Sequence, residues 1–327
     1  MSVSATSLPT TTPEPEDLSG PPARPRSRLR GYLTVAAFML PALVLFGLMV
    51  LTPIGLAAYN SLFKWNGYGG APTDFIGLDN FKRLFQNPVF IDDLKHGAIL
   101  IALSLLVQLP LSLGLAMLLN QKLRGRAIYR VLFFAPYVLS EVITAVLFNL
   151  VFAPEIGLAD YLLNLVGVEV ETSWLGDSNI VLYLLFFVIT WKYFGFYMIL
   201  FLAARQGIPH ELHEAAATEG ASSWEIFRKI TLPLLGPTIR ISVFLSVIGT
   251  LQLFDLVWVL TGGGPNHSSE TMAVTMFEIG FRRYQVGYAS AISIVMFIFS
   301  LIFALLYQRF VLRRDTEGAI TVMRDYR

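Results

Sequence analysis

The sequence predicts an all-α integral membrane protein with six transmembrane helices and both termini in the cytoplasm. Three observations carry this. Of 327 residues, 55% are hydrophobic and only 14% charged, against roughly 25% charged in a soluble domain. Six apolar runs are long enough to cross a hydrocarbon core, which needs roughly 20 helical residues. Lys and Arg crowd alternate connections between those runs, and such a bias orients a membrane protein with its basic loops inside.

The first thirty residues hold six prolines, many Ser and Thr and few large apolar side chains. Such a segment cannot bury enough surface to fold, so 1–30 reads as a disordered cytoplasmic tail, most simply an unselected extension. The apolar run after it is too long for the core of a cleavable signal peptide. The six spans are predicted at Leu33–Ala58, Gly97–Leu119, Val131–Phe152, Ile180–Leu202, Ile239–Leu260 and Tyr288–Tyr307. Pro41, Pro53, Pro110 and Pro136 fall inside them as tolerable kinks, since neighbouring helices can satisfy the freed carbonyls. Together, 31–312 forms one six-span transmembrane domain, followed by a short cytoplasmic tail over 313–327.

Orientation follows from the loops. The N-terminal tail carries Arg24, Arg26, Arg28 and Arg30, and Gln121–Arg130 packs four basic residues into ten. The fourth-to-fifth connection has Arg205, Arg228 and Lys229, with Arg240 just inside the next span, and five arginines follow the last span. Ala153–Asn179, in contrast, contains five acids and no Lys or Arg. Tyr59, Trp65 and Tyr68 then lie at the outer interface, where aromatic belts form.

The connection over 205–237 is too well punctuated for a plain loop. Pro209 suits the first turn of a helix, and Glu211 and Glu214 favour its positive end. HEAAATE supplies strong helix formers with small side chains, and Gly220 stops the helix. Ser222 and Glu225 make an S-x-x-E capping box that starts a second helix, with Phe227, Ile230 and Leu234 on one side and an end near Pro233. By the residues alone, this pair of short helices either lies on the membrane surface or docks a partner.

Glu214-Ala215-Ala216, then Gly220-Ala221, then Ile230-x-Leu232-Pro233 resembles the EAA loop of binding-protein-dependent ABC importer permeases. The family's usual Asp before the Gly is Glu219 here. Further resemblances run along the chain. RVLFFAPYVLSEV (Arg130–Val142) is similar to the block opening the family's third span, and LSLGLAMLLN (Leu111–Asn120) to its second span. FDLVWVLTGGGPNHSSET (Phe254–Thr271) and FIGLDNF (Phe75–Phe81) resemble segments of its carbohydrate-transporting branch. The resemblance implies a type I ABC importer permease architecture, in which the loop is a coupling helix seated in a cleft of the ATPase. It also implies two ATPase copies, a second permease subunit, an extracytoplasmic solute-binding protein delivering a sugar, and residence in the bacterial inner membrane among its lipids.

The chain contains no G-x-x-x-x-G-K-[ST]; GGGPNHSS has the glycines but no lysine. It therefore carries no phosphate cradle of its own and reads as a non-enzyme. The two histidines of HELHE (His210–Glu214) are three apart, not H-E-x-x-H, and no metal site or cofactor is expected. A net charge of +1 gives no sign of nucleic-acid binding.

Ionisable residues within spans are costly and candidates for function. Glu141 in the third span and Lys192 in the fourth are expected at similar depth as an ion pair, either structural or functional. In the fifth span Ser242, Ser246 and Thr250 recur every four residues, a stripe that glues helices together. Gln252, Asp255 and Trp258 recur every three and offer hydrogen bonds with an aromatic face, as a sugar requires. Tyr193 and Tyr197, one turn apart on the fourth span, add stacking surface. The alternative is an ion-gradient-driven secondary transporter that uses Glu141 and Asp255 as proton relays, although such proteins commonly show internal repeats and none is evident. A membrane scaffold without transport is a third reading, against which the polar stripes argue.

Overall fold

The computed structural model describes residues 28–121, 123–168 and 173–312. The tails expected over 1–27 and 313–327 lie outside them. The described residues are helical, with no strand beyond one isolated bridge between Phe63 and Phe75. Residues up to Pro53 form one unit and those from Ile54 a second. The first holds α1 (Arg28–Phe46) and a wide turn, Gly47–Leu51, and exposes apolar side chains such as Phe38, Leu43 and Met49.

From α2 (Thr52–Asn60) the chain passes through a short amphipathic helix, α3 (Asp79–Gln86), into α4 (Pro88–Leu103) and α5 (Leu109–Asn120). Asn87 caps α4 by accepting the Val89 N–H, with Pro88 at the first helical position. This helix therefore begins nine residues before Gly97, the expected start of the second span. Among the described residues, four helices are long and apolar enough to cross a membrane: Val35–Asn60, Pro88–Asn120, Val181–Gln206 and Val286–Leu312. Two bent pairs bring the number to six if each counts as one span.

The prolines explain much of the local geometry. Pro53, Pro110 and Pro233 each stand two residues beyond a π-helical turn, at Gly47–Leu51, Ser104–Gln108 and Phe227–Thr231. A proline inside a helix has no N–H and its ring strikes the carbonyl four residues back. Widening the preceding turn relieves the clash, and the bonds Thr52 N–H to Gly47 O, Leu109 N–H to Ser104 O and Leu232 N–H to Phe227 O span the wider loops. The helices continue rather than stop.

The third predicted span is two helices. α6 (Arg126–Val138) ends two residues after Pro136, Leu139 and Ser140 are extended, and α7 (Glu141–Val151) leaves at a bend of 100°. Ser140 caps α7 through a 3.2 Å bond from Ile143 N–H. After α8 (Leu158–Leu165), the uninterrupted α9 (Val181–Gln206) forms the centre of the second unit and packs against α5, α6, α7 and α13 (Gly236–Leu251). Gly195 makes the α6 crossing possible: a Cβ there would stand 1.9 Å from the Phe133 carbonyl oxygen.

Between α9 and α13 lie α10 (Glu211–Thr218), α11 (Ser223–Ile226) and α12 (Leu232–Leu234). The fifth predicted span also breaks. α13 ends at Leu251, residues 252–254 are irregular, and α14 (Asp255–Leu260) follows. α15 (Met272–Phe277) and α16 (Val286–Tyr307) complete the chain. The core divides into three clusters: one around α7, α9 and α14, one joining α3, α4, α15 and α16, and one between α5 and α9.

Candidate functional site

The two helix breaks face a common cavity of ≈ 410 Å³. Glu141 borders it from the start of α7, Gln252 and Asp255 from the α13–α14 break, Tyr193 and Tyr197 from α9, and Gln108 from the wide turn before Pro110. Ser246 and Thr250 from α13 and Tyr137 from α6 add hydroxyls. Irregular backbone at membrane depth persists only where protein buries it or it lines a cavity, and here it does both.

Each break frees backbone carbonyls that need partners. At the first, Lys192 Nζ donates to Leu139 O at 2.5 Å. At the second, Thr271 Oγ1 donates to Leu253 O at 2.8 Å. The helices beyond the breaks, α7 and α14, pack on each other, and Asn149 Nδ2 donates to Val259 O at 3.0 Å. The cavity is thus bounded by two broken spans whose far halves brace one another.

Glu141 and Lys192 are neighbours, but no direct ion pair joins them among the described residues. Glu141 accepts a hydrogen bond from the Tyr193 hydroxyl. Lys192, 3% exposed, serves the Leu139 carbonyl and lies 5.4 Å from the centre of the Tyr193 ring. In place of the expected contact, the break next to Glu141 presents a carbonyl that takes the ammonium.

Tyr193, Tyr197, Gln252 and Asp255 all line the cavity, though not as the helical stripe that their spacing suggests. Gln252 caps the end of α13 with φ −104° and Phe254 is at φ −130°, so Gln252 and Asp255 belong to different helices. Trp258 is not among the lining residues. It stacks at 6.0 Å on Phe254 and meets Phe277 edge-on at 4.8 Å, with the Arg282 guanidinium 5.7 Å from its ring. Ser246 and Thr250, read from the sequence as helix glue, face the cavity; Ser242 is fully buried below them. Gln108, whose amide donates to Ile189 O at 3.3 Å, was not among the residues read from the sequence; a glutamine two residues before a proline within an apolar run was the available signal.

The segment between α9 and α13 has the predicted punctuation. α10 ends in a Schellman motif: Ala221 N–H bonds Ala216 O and Gly220 N–H bonds Ala217 O, each at 3.0 Å, with Gly220 at φ +82°. Ser222 and Glu225 form the reciprocal capping box, at 3.3 Å from Glu225 N–H to Ser222 Oγ and 3.0 Å from Ser222 N–H to Glu225 Oε2. That backbone bond, with Lys229 beside it, holds the Glu225 carboxyl down at about 2. His213 Nε2 lies 3.1 Å from Thr231 Oγ1 and ties α10 to the following turn; burial and the nearby Arg205 charge push its imidazole below the ordinary value. His210 lies 3.0 Å from Glu214. Glu214, Ala215 and Gly220 are exposed, Ala216, Ala221, Ile230 and Leu232 half-buried, and Pro233 exposed. Two details differ from expectation. Pro209 precedes the helix, and Leu234 is 49% exposed because the wide turn at Phe227–Thr231 rotates it away from Phe227 and Ile230.

Residues 108–316 match the family described as binding-protein-dependent transport system inner membrane component. The chain is 35% identical over 276 residues, 84% of its length and 94% of the relative's, to the probable ABC transporter permease protein YurN of Bacillus subtilis. It is 32% identical to the diacetylchitobiose uptake system permease protein NgcF of Streptomyces coelicolor, over 94% of this chain and 89% of that one. Its fold is that of a chain in a bacterial ABC transporter that imports the acidic polysaccharide alginate, with a TM-score of 0.77 at 24% identity, covering 88% of this chain and 97% of that chain. The chain belongs to the family of binding-protein-dependent transport system inner membrane components. It is a multi-pass protein of the inner membrane.

Proposed function

We propose that the chain is the sugar-conducting permease subunit of an ATP-driven importer, forming half of the pathway and coupling it to separate ATPases. The observation that carries this reading is the segment from Glu214 to Pro233. It combines a Schellman turn, a capping box and exposed small residues in a chain without a phosphate-binding loop of its own. A close-approach surface of Ala215, Ala216 and Gly220 suits insertion into a cleft of another protein, and Ala221, Ile230, Leu232 and Pro233 form its base. Counting α6 with α7 as one span and α13 with α14 as another gives six, with both termini and this segment cytoplasmic. On this reading 31–312 is the permease domain between cytoplasmic tails.

Two copies of an ATPase would close on ATP beneath this permease and a second one, while an extracytoplasmic binding protein delivers the sugar. A ligand shifts such an equilibrium only through differential contact with its two states, and Glu214–Gly220 is where that contact is made. In the cavity, Tyr193 and Tyr197 offer stacking faces, and Gln252 and Asp255 offer hydrogen bonds to hydroxyls. Trp258 falls outside this set because its ring is spent on Phe254 and Phe277. The names of several relatives, NgcF among them, support a saccharide as cargo. Gentle purification from the native membrane should recover a P-loop ATPase and a second permease. Uptake that fails without ATP but survives collapse of the proton gradient supports the reading; the reverse dependence transfers the cavity acids Glu141 and Asp255 to an ion-driven carrier.

A further inference from the structure

Away from the cavity, a second cluster of acids is buried where the segment over residues 261–271 meets α4. Asp93, on α4, is 1% exposed, and Glu270, just before α15, is 5% exposed. Between them stands Thr275, 2% exposed, whose Oγ1 lies 2.6 Å from Asp93 Oδ2 and 2.8 Å from Glu270 Oε1. His267 Nδ1 contacts the other oxygen of Glu270. His96 Nδ1 lies 2.9 Å from the Glu270 backbone carbonyl, which accepts its hydrogen. Asp93 Oδ1 is buried with no hydrogen-bond partner.

Counting hydrogens decides the state of this cluster. A threonine hydroxyl has one hydrogen to donate, yet it makes two bonds to carboxyl oxygens. If both acids were ionised, one of those contacts would set lone pair against lone pair in a buried site, beside two like charges. A hydrogen must therefore come from one of the acids. Glu270 already takes a bond from His267 and is best placed to keep its charge. Asp93 has an orphaned buried oxygen, which costs far less on a neutral carboxyl than on a carboxylate.

We infer that Asp93, Thr275 and Glu270 form a proton-binding site in which one proton is held on Asp93 and locks residues 261–271 to α4. Asp93 Oδ2–H donates to Thr275 Oγ1, Thr275 donates to Glu270 Oε1, and His267 donates to Glu270 Oε2. The charged groups packed around the site do not supply a substitute. Asp92 is half-exposed and paired with Lys95 at 2.7 Å, and Glu278 is engaged by Arg282 and Arg283. His267 is half exposed, its side chain 49% accessible, and gives the site a route to water. Removing the proton leaves two buried carboxylates competing for one hydrogen. The segment that carries Thr271, which satisfies the α13–α14 break, then loses this tie to α4 and keeps only the one from His96. This inference does not depend on the identity of the cargo.

Infrared difference spectroscopy on the full-length chain in its native complex tests it. Wild type at neutral pH should show a hydrogen-bonded carboxylic-acid carbonyl band that shifts in deuterated water. The band should be lost in Asp93→Asn, whose amide replaces the donor, and also in Glu270→Gln, which removes the need for a shared proton. Hydrogen exchange over residues 261–271, corrected for intrinsic rates, should rise with alkaline pH in wild type and stay flat in Asp93→Asn. Absence of the band in wild type overturns the inference even if neither variant folds. A band unchanged in Asp93→Asn overturns the site, and one lost in Asp93→Asn but kept in Glu270→Gln overturns the sharing.

Discussion

Gly220 gives a sharp test of the coupling segment, because its role can be separated from packing. It stands at φ +82° and an added Cβ would meet nothing within 4 Å. Replacement therefore acts through the backbone alone within this chain. An L-residue in the left-handed region costs about 1–2 kcal/mol, enough to lower the population of the native turn roughly 5- to 30-fold. Gly220→Ala takes that full cost. Gly220→Asn takes less of it, since Asn tolerates the conformation. Gly220→Pro cannot form the turn at all: its φ is fixed near −65° and it loses the N–H that bonds Ala217 O. With the permease reconstituted with its ATPase and binding protein, coupling is the ratio of cargo imported to ATP hydrolysed. The expected order is Gly, then Asn, then Ala, with Pro assembling poorly or hydrolysing ATP without uptake. Normal coupling in Gly220→Pro refutes the docking role. Asn worse than Ala shows that side-chain bulk against a partner matters more than the backbone, and refutes the conformational argument.

Gly195→Ala should disrupt the α6–α9 crossing and lower the thermal midpoint of the detergent-purified complex, because its methyl meets backbone and overpacking typically costs about 1–3 kcal/mol; an unchanged midpoint means that the helices separate without penalty. Lys192→Met should leave the Leu139 carbonyl unpaired at the α6–α7 break, a loss of about 1.5–3 kcal/mol for a bond to a charged donor. Combined with Glu141→Gln it tests coupling: rescue of transport in the double variant links the two charges, whereas additive losses assign them separate duties. Gln252→Ala and Asp255→Asn should each reduce uptake while leaving assembly with the ATPase intact, and full uptake in both would remove the cavity from the pathway. Acidification should loosen α10 before α11. The lowered His213 favours its neutral form in the native state, so its share of stability is lost as pH falls below the ordinary imidazole range, whereas Glu225, depressed to about 2, keeps its cap until pH falls through that value. Hydrogen exchange in the two helices, measured down a pH series, reads the order directly.

What was legible in the sequence, and what was not, divides along a physical line. Local signals were readable: Gly220 as a left-handed stop, Ser222 with Glu225 as a reciprocal cap, and the apolar runs as long helices. Each depends on residues within a few positions of one another. The breaks in the third and fifth runs were not read, because apolarity measures partition into lipid and is blind to backbone direction. Pro136 and Ser140 were visible as a kink and a hydroxyl. Only the carbonyl they free, and a lysine 53 positions away to receive it, make a 100° bend stable. Periodicity misled for the same reason: Gln252 and Asp255 reach one cavity by a helix ending between them, not by sharing a face.

The breaks also explain how a polar cavity can exist inside so apolar a chain. A continuous helix satisfies its own backbone and presents only side chains to its neighbours. A broken one releases carbonyls and N–H groups that must find partners, and the partners here, Lys192 and Thr271, come from distant elements. Fixing them fixes the positions of Glu141 and Asp255, the first residues of the helices beyond each break. On the proposed reading, a push on the coupling segment, which joins α13 across a 64° bend, would reach the Gln252–Phe254 break at the far end of that helix. That break interrupts the helical hydrogen-bond ladder between Leu251 and Asp255. Motion of α13 relative to α14 therefore reshapes the cavity without melting either helix, which gives the proposed drive from Glu214–Gly220 a defined place to act.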